Sequence, residues 1–163
     1  MFSTKLQDAI NAQINAELYS AYIYLAMSAH FEAANLYGFA KWMRLQYEEE
    51  TAHALKFFDF MHDRDGSVVL KAVDAPPPAP ATPLAVFEKT LAHEQKVTAM
   101  IHSLYKLALD EADYPSQIFL QWFINEQVEE EKNATDAVAN LRMIGDFAPA
   151  LLMMDEEMGE RGG

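Results

Sequence analysis

The chain has 163 residues, of which 51% are hydrophobic, and 25 acidic residues against 12 basic ones give it a formal charge of −13. A chain of this length can bury one sizeable core, so we expect a single domain over residues 1–163. A net negative charge repels phosphate backbones, which disfavours nucleic acid as a partner. Because the sequence has no cysteine, any metal must be bound by oxygen and nitrogen ligands.

The sequence has no apolar run of about 18 residues, the length that a membrane span requires. Its first segment, MFSTKLQDAI, lacks the basic region and the apolar stretch of a signal peptide. We therefore expect a cytoplasmic protein with no membrane partner.

Apolar residues recur at spacings of three and four along four segments, which is the pattern of long amphipathic helices. The first predicted helix covers about residues 4–35 and starts with a capping box at Thr4 and Gln7. Gly38 predicts a break in the helix, and the second predicted helix follows over about residues 39–65.

A long connection separates the second helix from the third. It contains four prolines between Pro76 and Pro80, which forbid a continuing helix. The segment from Asp65 to Pro83 has 19 residues. It can span roughly 60 Å at about 3.3 Å per residue, which exceeds the roughly 40 Å of each long helix. It can therefore cross the whole length of a helical bundle.

Two further long helices and one short helix are predicted after this connection. Thr82 and Pro83 are a favourable helix start, and Pro115 opens the next helix. The predicted ranges are about 83–111, about 115–144 and about 148–158. The sequence thus predicts an all-α protein, a four-helix bundle of two antiparallel pairs joined by one long crossover, with a short fifth C-terminal helix.

Each long apolar stripe contains polar residues of metal-binding type where an apolar residue is expected. All are predicted to point inward near the middle of their helices, where the four helices pass one another. The second helix pair repeats the polar positions of the first pair at an offset of 77 residues. These six polar stripe residues are Glu17, Glu50, His53, Glu94, Gln127 and Glu130.

Four buried carboxylates require compensation, because an isolated buried charge costs several kcal/mol or more. No lysine or arginine lies on the stripes, whereas two divalent cations would balance the four charges. Carboxylates with one imidazole suit iron or manganese better than zinc, and we predict a di-iron site. Glu50 and Glu94 are the expected bridges between the ions. Glu17 and His53 would complete one metal position, and Glu130 the other.

Other residues near the predicted site leave two interpretations open. Gln127 can bind metal directly or support a ligand by hydrogen bonding. Tyr24 lies two turns beyond Glu17 and can donate a hydrogen bond or an electron, or simply pack in the core. Glu49, Glu126 and Glu129 adjoin the predicted ligands, and they either form a further metal position or belong to a solvated face.

Several segments resemble the bacterial non-haem ferritins: NAELYSAYIYLAMSAHF at 15–31, EEETAH at 48–53, HEQ at 93–95 and DYPSQIFLQWFINEQVEEEK at 113–132. The resemblance implies a ferritin-like bundle with a ferroxidase centre at the six polar stripe residues and Tyr24 nearby. It also implies a third iron site at Glu49, Glu126 and Glu129.

The same resemblance implies a homo-oligomeric hollow shell of twenty-four subunits. In such a shell Fe(II) is oxidised by dioxygen or hydrogen peroxide and stored as ferric mineral, and the fifth helix lines a symmetry axis. An alternative is a di-iron peroxidase or oxygenase of the ferritin-like superfamily that stores no mineral. A further alternative is a non-catalytic helical interaction protein whose acidic residues face water.

Two differences between this sequence and related families argue against haem binding and DNA binding. Haem-containing bacterioferritins have two E-x-x-H motifs and a methionine directly after the first glutamate. Here the second motif reads QVEE and Thr51 follows Glu50, so no haem is expected. The chain also lacks the basic tail of DNA-binding mini-ferritins, so DNA binding is not expected.

Overall fold

A computed structural model describes residues 2–162, so that residues 1 and 163 of the predicted domain lie outside it. Within this range the structure contains five α-helices and no strand, which confirms the predicted all-α fold. None of these helices is both long and apolar enough to cross a membrane. The helices are α1 (Thr4–Ala33), α2 (Tyr37–Asp63), α3 (Pro83–Asp110), α4 (Tyr114–Ile144) and α5 (Ala148–Gly159).

The N-terminus of α1 is capped one residue earlier than predicted. The Ser3 hydroxyl accepts a hydrogen bond from the Leu6 backbone N–H at 3.2 Å, so Ser3 is the capping residue. Gln7 donates from its side-chain amide to the carbonyl of Phe2 at 3.0 Å. The capping box predicted at Thr4 is therefore wrong, because Ser3 is the capping residue and Gln7 donates to a carbonyl where a capping box needs it to accept from the N–H of the capping residue.

The first turn of α2 differs from the sequence prediction of a helix break at Gly38. Gly38 lies inside α2, and the chain turns before it at Asn35, whose φ is 59°. A Cβ added to Gly38 would lie 1.6 Å from the backbone oxygen of Asp155 in α5. The predicted break at Gly38 is therefore wrong, and the glycine is required because α5 packs directly against this turn.

The crossover, residues 64–82, runs along α1 in an extended conformation and is fixed by asparagine side chains. The Asn11 amide donates to the carbonyl of Ser67 at 2.9 Å and accepts from the N–H of Val69 at 2.9 Å. One turn later Asn15 donates to the carbonyl of residue 72 at 3.1 Å. These contacts satisfy backbone groups that have no helix or sheet partner.

The hydrophobic core is divided into two clusters along the bundle. One cluster contains Phe31, Phe39 and Phe87, and the other contains Phe57 and Phe123. On every long helix the polar stripe residues lie between the segments that contribute to these two clusters. The bundle therefore has a polar layer at its middle.

Candidate metal centre

The six polar stripe residues all lie in this middle layer. Each is buried, with 4% or less of its surface exposed, so the inward orientation expected from the sequence is observed. Every long helix contributes at least one of them: α1 provides Glu17, α2 provides Glu50 and His53, α3 provides Glu94, and α4 provides Gln127 and Glu130.

Glu17, Glu50 and His53 form a first group whose ligand atoms lie within 4.8 Å of one another. The Nδ1 atom of His53 lies 3.3 Å from Glu50 Oε2 and 3.9 Å from Glu17 Oε2. Gln13 donates to the other oxygen of Glu17 at 2.7 Å. Among residues 2–162, Glu17 Oε2 is the one buried side-chain polar atom without a hydrogen-bond partner. A buried oxygen left without a partner is costly, and a cation held at this group would satisfy it.

His53 also belongs to a second group, because the opposite side of its ring faces α4. Its Nε2 atom lies 3.9 Å from Glu126 Oε1. The ligand atoms of His53, Glu126 and Glu130 lie within 4.8 Å of one another. Glu130 is further oriented by Gln46, whose amide nitrogen donates to its Oε2 atom at 2.9 Å. The imidazole thus lies between two sets of carboxylates.

Glu94 belongs to neither group, and both of its carboxylate oxygens accept hydrogen bonds. The Tyr24 hydroxyl donates to Oε1, and the Gln127 amide donates to Oε2 at 3.2 Å. Tyr24 is fully buried beside the polar layer. The structure therefore presents Tyr24 and Gln127 as groups that orient Glu94, which favours the supporting interpretation of Gln127.

Burial and mutual repulsion raise the pKa values of this layer. The pKa of Glu17 is raised by burial and then by the charge of Glu50, and that of Glu50 by burial and then by Glu94. Burial, followed by the charge of Glu94, raises the pKa of Glu130 to about 7. The Tyr24 hydroxyl has a raised pKa for the same two reasons. The layer consequently favours any positive charge, whether a proton or a metal ion.

Glu49, Glu126 and Glu129 are not brought together as one group. Glu126 joins His53 in the second group, and of the three it alone belongs to such a group among the described residues. Glu49 instead forms a salt bridge of 2.7 Å with Arg161, and Glu129 is exposed. A third metal position that uses all three carboxylates would require their side chains to move.

Sequence reasoning missed the residues that orient the carboxylates. Gln46 lies on the same stripe as Glu50, and Gln13 lies one turn before Glu17, so the helical spacing contained enough information to identify both. Arg161 follows the last helix, and no pattern in the sequence relates it to the middle of the bundle.

Without bound cations, the protein is expected to become less stable as the pH rises from about 4.5 to about 7. The pKa of Glu130 is raised to about 7, so the folded state holds a proton that the unfolded state has already released. This proton stabilises the fold below the unfolded pKa, and the contribution is lost as the pH rises through the folded pKa. Glu130 alone contributes at most about 3 kcal/mol to this loss.

Thermal unfolding of the metal-free protein at pH about 5 and about 8 measures this effect. Glu130→Gln should reduce the difference between the two melting temperatures, whereas Glu129→Gln, an exposed neighbour on the same helix, should not. An identical pH dependence in both variants would contradict the assignment.

Inward carboxylates from four helices, with a Glu-x-x-His pair on one of them, are similar to the sites of helical bundles that bind metal ions at their centre. The family model described as "Ferritin-like domain" matches residues 7–144. The chain belongs to the ferritin family, and its resemblance to the bacterial non-haem ferritins is confirmed.

Named relatives match over nearly the full length of the chain. It is 40% identical to the bacterial non-heme ferritin of Bacteroides fragilis (strain 638R), over 99% of this chain and 100% of the relative. A bacterial non-heme ferritin of Staphylococcus aureus (strain USA300) is 35% identical, over 99% and 97% of the two chains. The structure is similar to that of an open-pore ferritin from Archaeoglobus fulgidus, with a TM-score of 0.97, 48% identity and 99% coverage of both chains.

Proposed function

We propose that this protein stores iron by oxidising Fe(II) at a centre within each subunit and depositing the ferric product inside a protein shell. As a ferritin, the chain is an enzyme that acts on Fe(II), a ferroxidase. The observation that supports the location of this activity is the buried layer of four carboxylates, in which Glu17 Oε2 has no partner among the described residues.

In this proposal iron is the substrate, and five of the six polar stripe residues hold two ions. Glu17 and His53 complete one position and Glu130 completes the other, while Glu50 and Glu94 are shared by both. Gln127 contributes through its hydrogen bond to Glu94. A hard divalent cation suits this donor set, because oxygen ligands predominate and one imidazole completes it.

Residues around the proposed iron positions orient the metal ligands and exchange protons. Tyr24 and Gln127 fix both oxygens of Glu94, so that its carboxylate cannot rotate freely. Because the pKa of Glu130 is about 7, binding of a cation near neutral pH displaces a proton from part of the population. Fe(II) binding should therefore release more protons at pH about 6.5 than at pH about 8.

The storage step depends on assembly into a homo-oligomer, which we propose to be a closed shell of twenty-four subunits. The last helix supports this, since Phe147 before it and Leu152 and Met153 within it are 63%, 59% and 72% exposed in the single chain. Exposed apolar residues at this density are favourable for contact with neighbouring subunits. Cytoplasmic location, the absence of haem and oxidation by dioxygen or hydrogen peroxide stay predictions.

Anaerobic titration with Fe(II), followed by exposure to dioxygen, tests the proposed function. We expect saturable binding of about two Fe(II) per chain in a fast phase, then oxidation and accumulation of a mineral that stays with the protein. Absence of saturable binding would contradict the centre and favour a non-catalytic interaction protein. Turnover of peroxide or an organic substrate without mineral would favour a peroxidase or oxygenase instead.

A third iron position is proposed at Glu49, Glu126 and Glu129, beside the two central ones. Changing Glu126 and Glu129 together to alanine should lower the iron bound by roughly one ion per chain and alter the ratio of iron oxidised to oxygen consumed. The first fast oxidation should survive, because its own ligands remain.

A double variant at Glu156 and Glu157 removes the same number of acidic residues from α5, where both are exposed, and is the matched control. Loss of the first fast phase in the Glu126 and Glu129 variant would show that the positions are not separate. An unchanged iron count would show that these acids only form a solvated face.

A further inference from the structure

Arg161, two residues beyond the end of α5, has its guanidinium group directed toward the middle of α2. Its Nη2 atom donates to Glu49 Oε2 at 2.7 Å, and its Nη1 atom donates to Oε1 of the Gln46 side-chain amide. The guanidinium carbon lies 4.7 Å from the ring centre of Trp42. The side chain is 24% exposed, so this cation is largely enclosed by α2.

Gln46 connects Arg161 to the candidate iron centre. It is fully buried, and its amide nitrogen donates to Glu130 Oε2 at 2.9 Å. An amide group has one accepting end and one donating end. Because Arg161 occupies the accepting end, the donating end must face Glu130.

The position of Arg161 is determined by reciprocal capping between α2 and α5. Asp155 of α5 accepts from the backbone N–H of Phe39 in the first turn of α2, at 2.8 Å. In return, Lys41 of α2 donates to the carbonyl of Gly159 at the end of α5, at 2.7 Å. Two independent contacts between α5 and α2 therefore hold the residues that follow α5 against α2.

We propose that Arg161 is a positioning residue for the iron centre and also an internal cation that competes with metal for Glu49. Through Gln46 it orients the Glu130 carboxylate toward the bound ion. Through its salt bridge it withholds Glu49 from a third ion until the guanidinium group is displaced. This inference rests on the proposed function, since it assigns a partner to the same site.

The two roles predict opposite effects when Arg161 is replaced by methionine. Loss of the Gln46 contact should weaken binding at the Glu130 position by about tenfold, the lower end for loss of a group that orients a metal ligand. Release of Glu49 should increase the number of ions that bind at high concentration. Arg161→Lys keeps a charge near Glu49 but lacks the fork that also reaches Gln46. The lysine variant should therefore bind the wild-type number of ions, while its affinity at the Glu130 position should stay reduced.

Co²⁺ under anaerobic conditions is the probe, because it binds without oxidation and its visible spectrum reports the number and geometry of its ligands. The assembled full-length protein is titrated in the wild-type, Arg161→Met, Arg161→Lys and Arg44→Met forms. Arg44→Met is the matched control, since it makes the same substitution at an exposed arginine of α2 that pairs with Glu48 and does not touch Gln46. Melting temperatures of the metal-free forms are compared in parallel.

We expect the spectrum and affinity to change in both Arg161 variants and to remain at wild-type values in Arg44→Met. Equal affinity and ion count in wild type and Arg161→Met would overturn the inference. An equal loss in Arg161→Met and Arg44→Met would also overturn it, by showing that the removal of any positive charge near α2 has the same effect. If wild-type protein itself failed to bind Co²⁺ and Fe(II) saturably, the proposed function would fail instead, so the two failures are distinguishable.

Discussion

Replacing Glu94 with alanine is expected to slow the fast oxidation of Fe(II) by about 100-fold or more while the subunit stays helical. Glu94 is 1% exposed at the middle of the bundle, and both of its oxygens are oriented by hydrogen bonds. It is one of the two proposed ligands shared by both ions, so its loss affects both positions. The initial rate of ferric product formation after mixing with dioxygen measures the effect.

Glu94→Ala also leaves the buried Tyr24 hydroxyl without its acceptor, at a cost of about 1–3 kcal/mol. The Gln127 amide keeps the Thr98 hydroxyl and the backbone carbonyl of residue 94 as acceptors. Glu94→Gln separates charge from hydrogen bonding, because it retains an acceptor for Tyr24 and removes the negative charge. We expect it to oxidise iron as slowly as Glu94→Ala but to melt at a higher temperature.

Glu88→Ala is the matched control on the same helix, since Glu88 forms an exposed salt bridge with Arg142 far from the layer. It should oxidise iron at the wild-type rate. A wild-type initial rate in Glu94→Ala would refute the bridging assignment and leave Glu50 as the remaining candidate.

The second large effect is expected at Gly38, where alanine should destabilise the protein by about 3 kcal/mol. The added Cβ would lie 1.6 Å from the Asp155 backbone oxygen and 2.5 Å from its carbon. Backbone atoms cannot rotate away as a flexible side chain can, so α5 must move from α2. Thermal unfolding followed by circular dichroism measures the change.

The sign of this effect should reverse in a chain that ends before Phe147 and therefore lacks α5. With no helix packed against it, Gly38 is an ordinary residue in the first turn of α2, and alanine should then stabilise the helix by roughly 0.5–1 kcal/mol. A destabilising effect of the same size in both chains would show that α5 is not the cause.

The architecture was predictable because the long helices follow a regular apolar period. Each predicted range differs from the observed helix by at most two residues at either end. The six polar stripe residues were predictable for the same reason, since a carboxylate at a core position such as Glu17 interrupts the period visibly. Because four carboxylates were predicted at the same level of the bundle, compensating positive charge was required there.

The contacts made by α5 were not predictable, because they depend on tertiary packing. Gly38 was interpreted as a helix break since glycine commonly has that role, and only the position of Asp155 reveals the close approach. Arg161 is distant in sequence from Glu49, and no local period relates them. Ser3 and Thr4 are both good capping residues, and the choice between them depends on a single hydrogen bond.

The division of the core into two clusters has a consequence for how the subunit opens. In most helical bundles the centre of each helix is the most resistant part and the ends fray. Here the apolar packing lies on both sides, around Phe31 and Phe87 at one end and Phe57 and Phe123 at the other. Backbone amides beside the metal-free polar layer should therefore exchange with solvent more readily than those in the two flanking clusters. Binding of cations in the polar layer would couple the local opening of the two halves, so that the bundle would open as one unit.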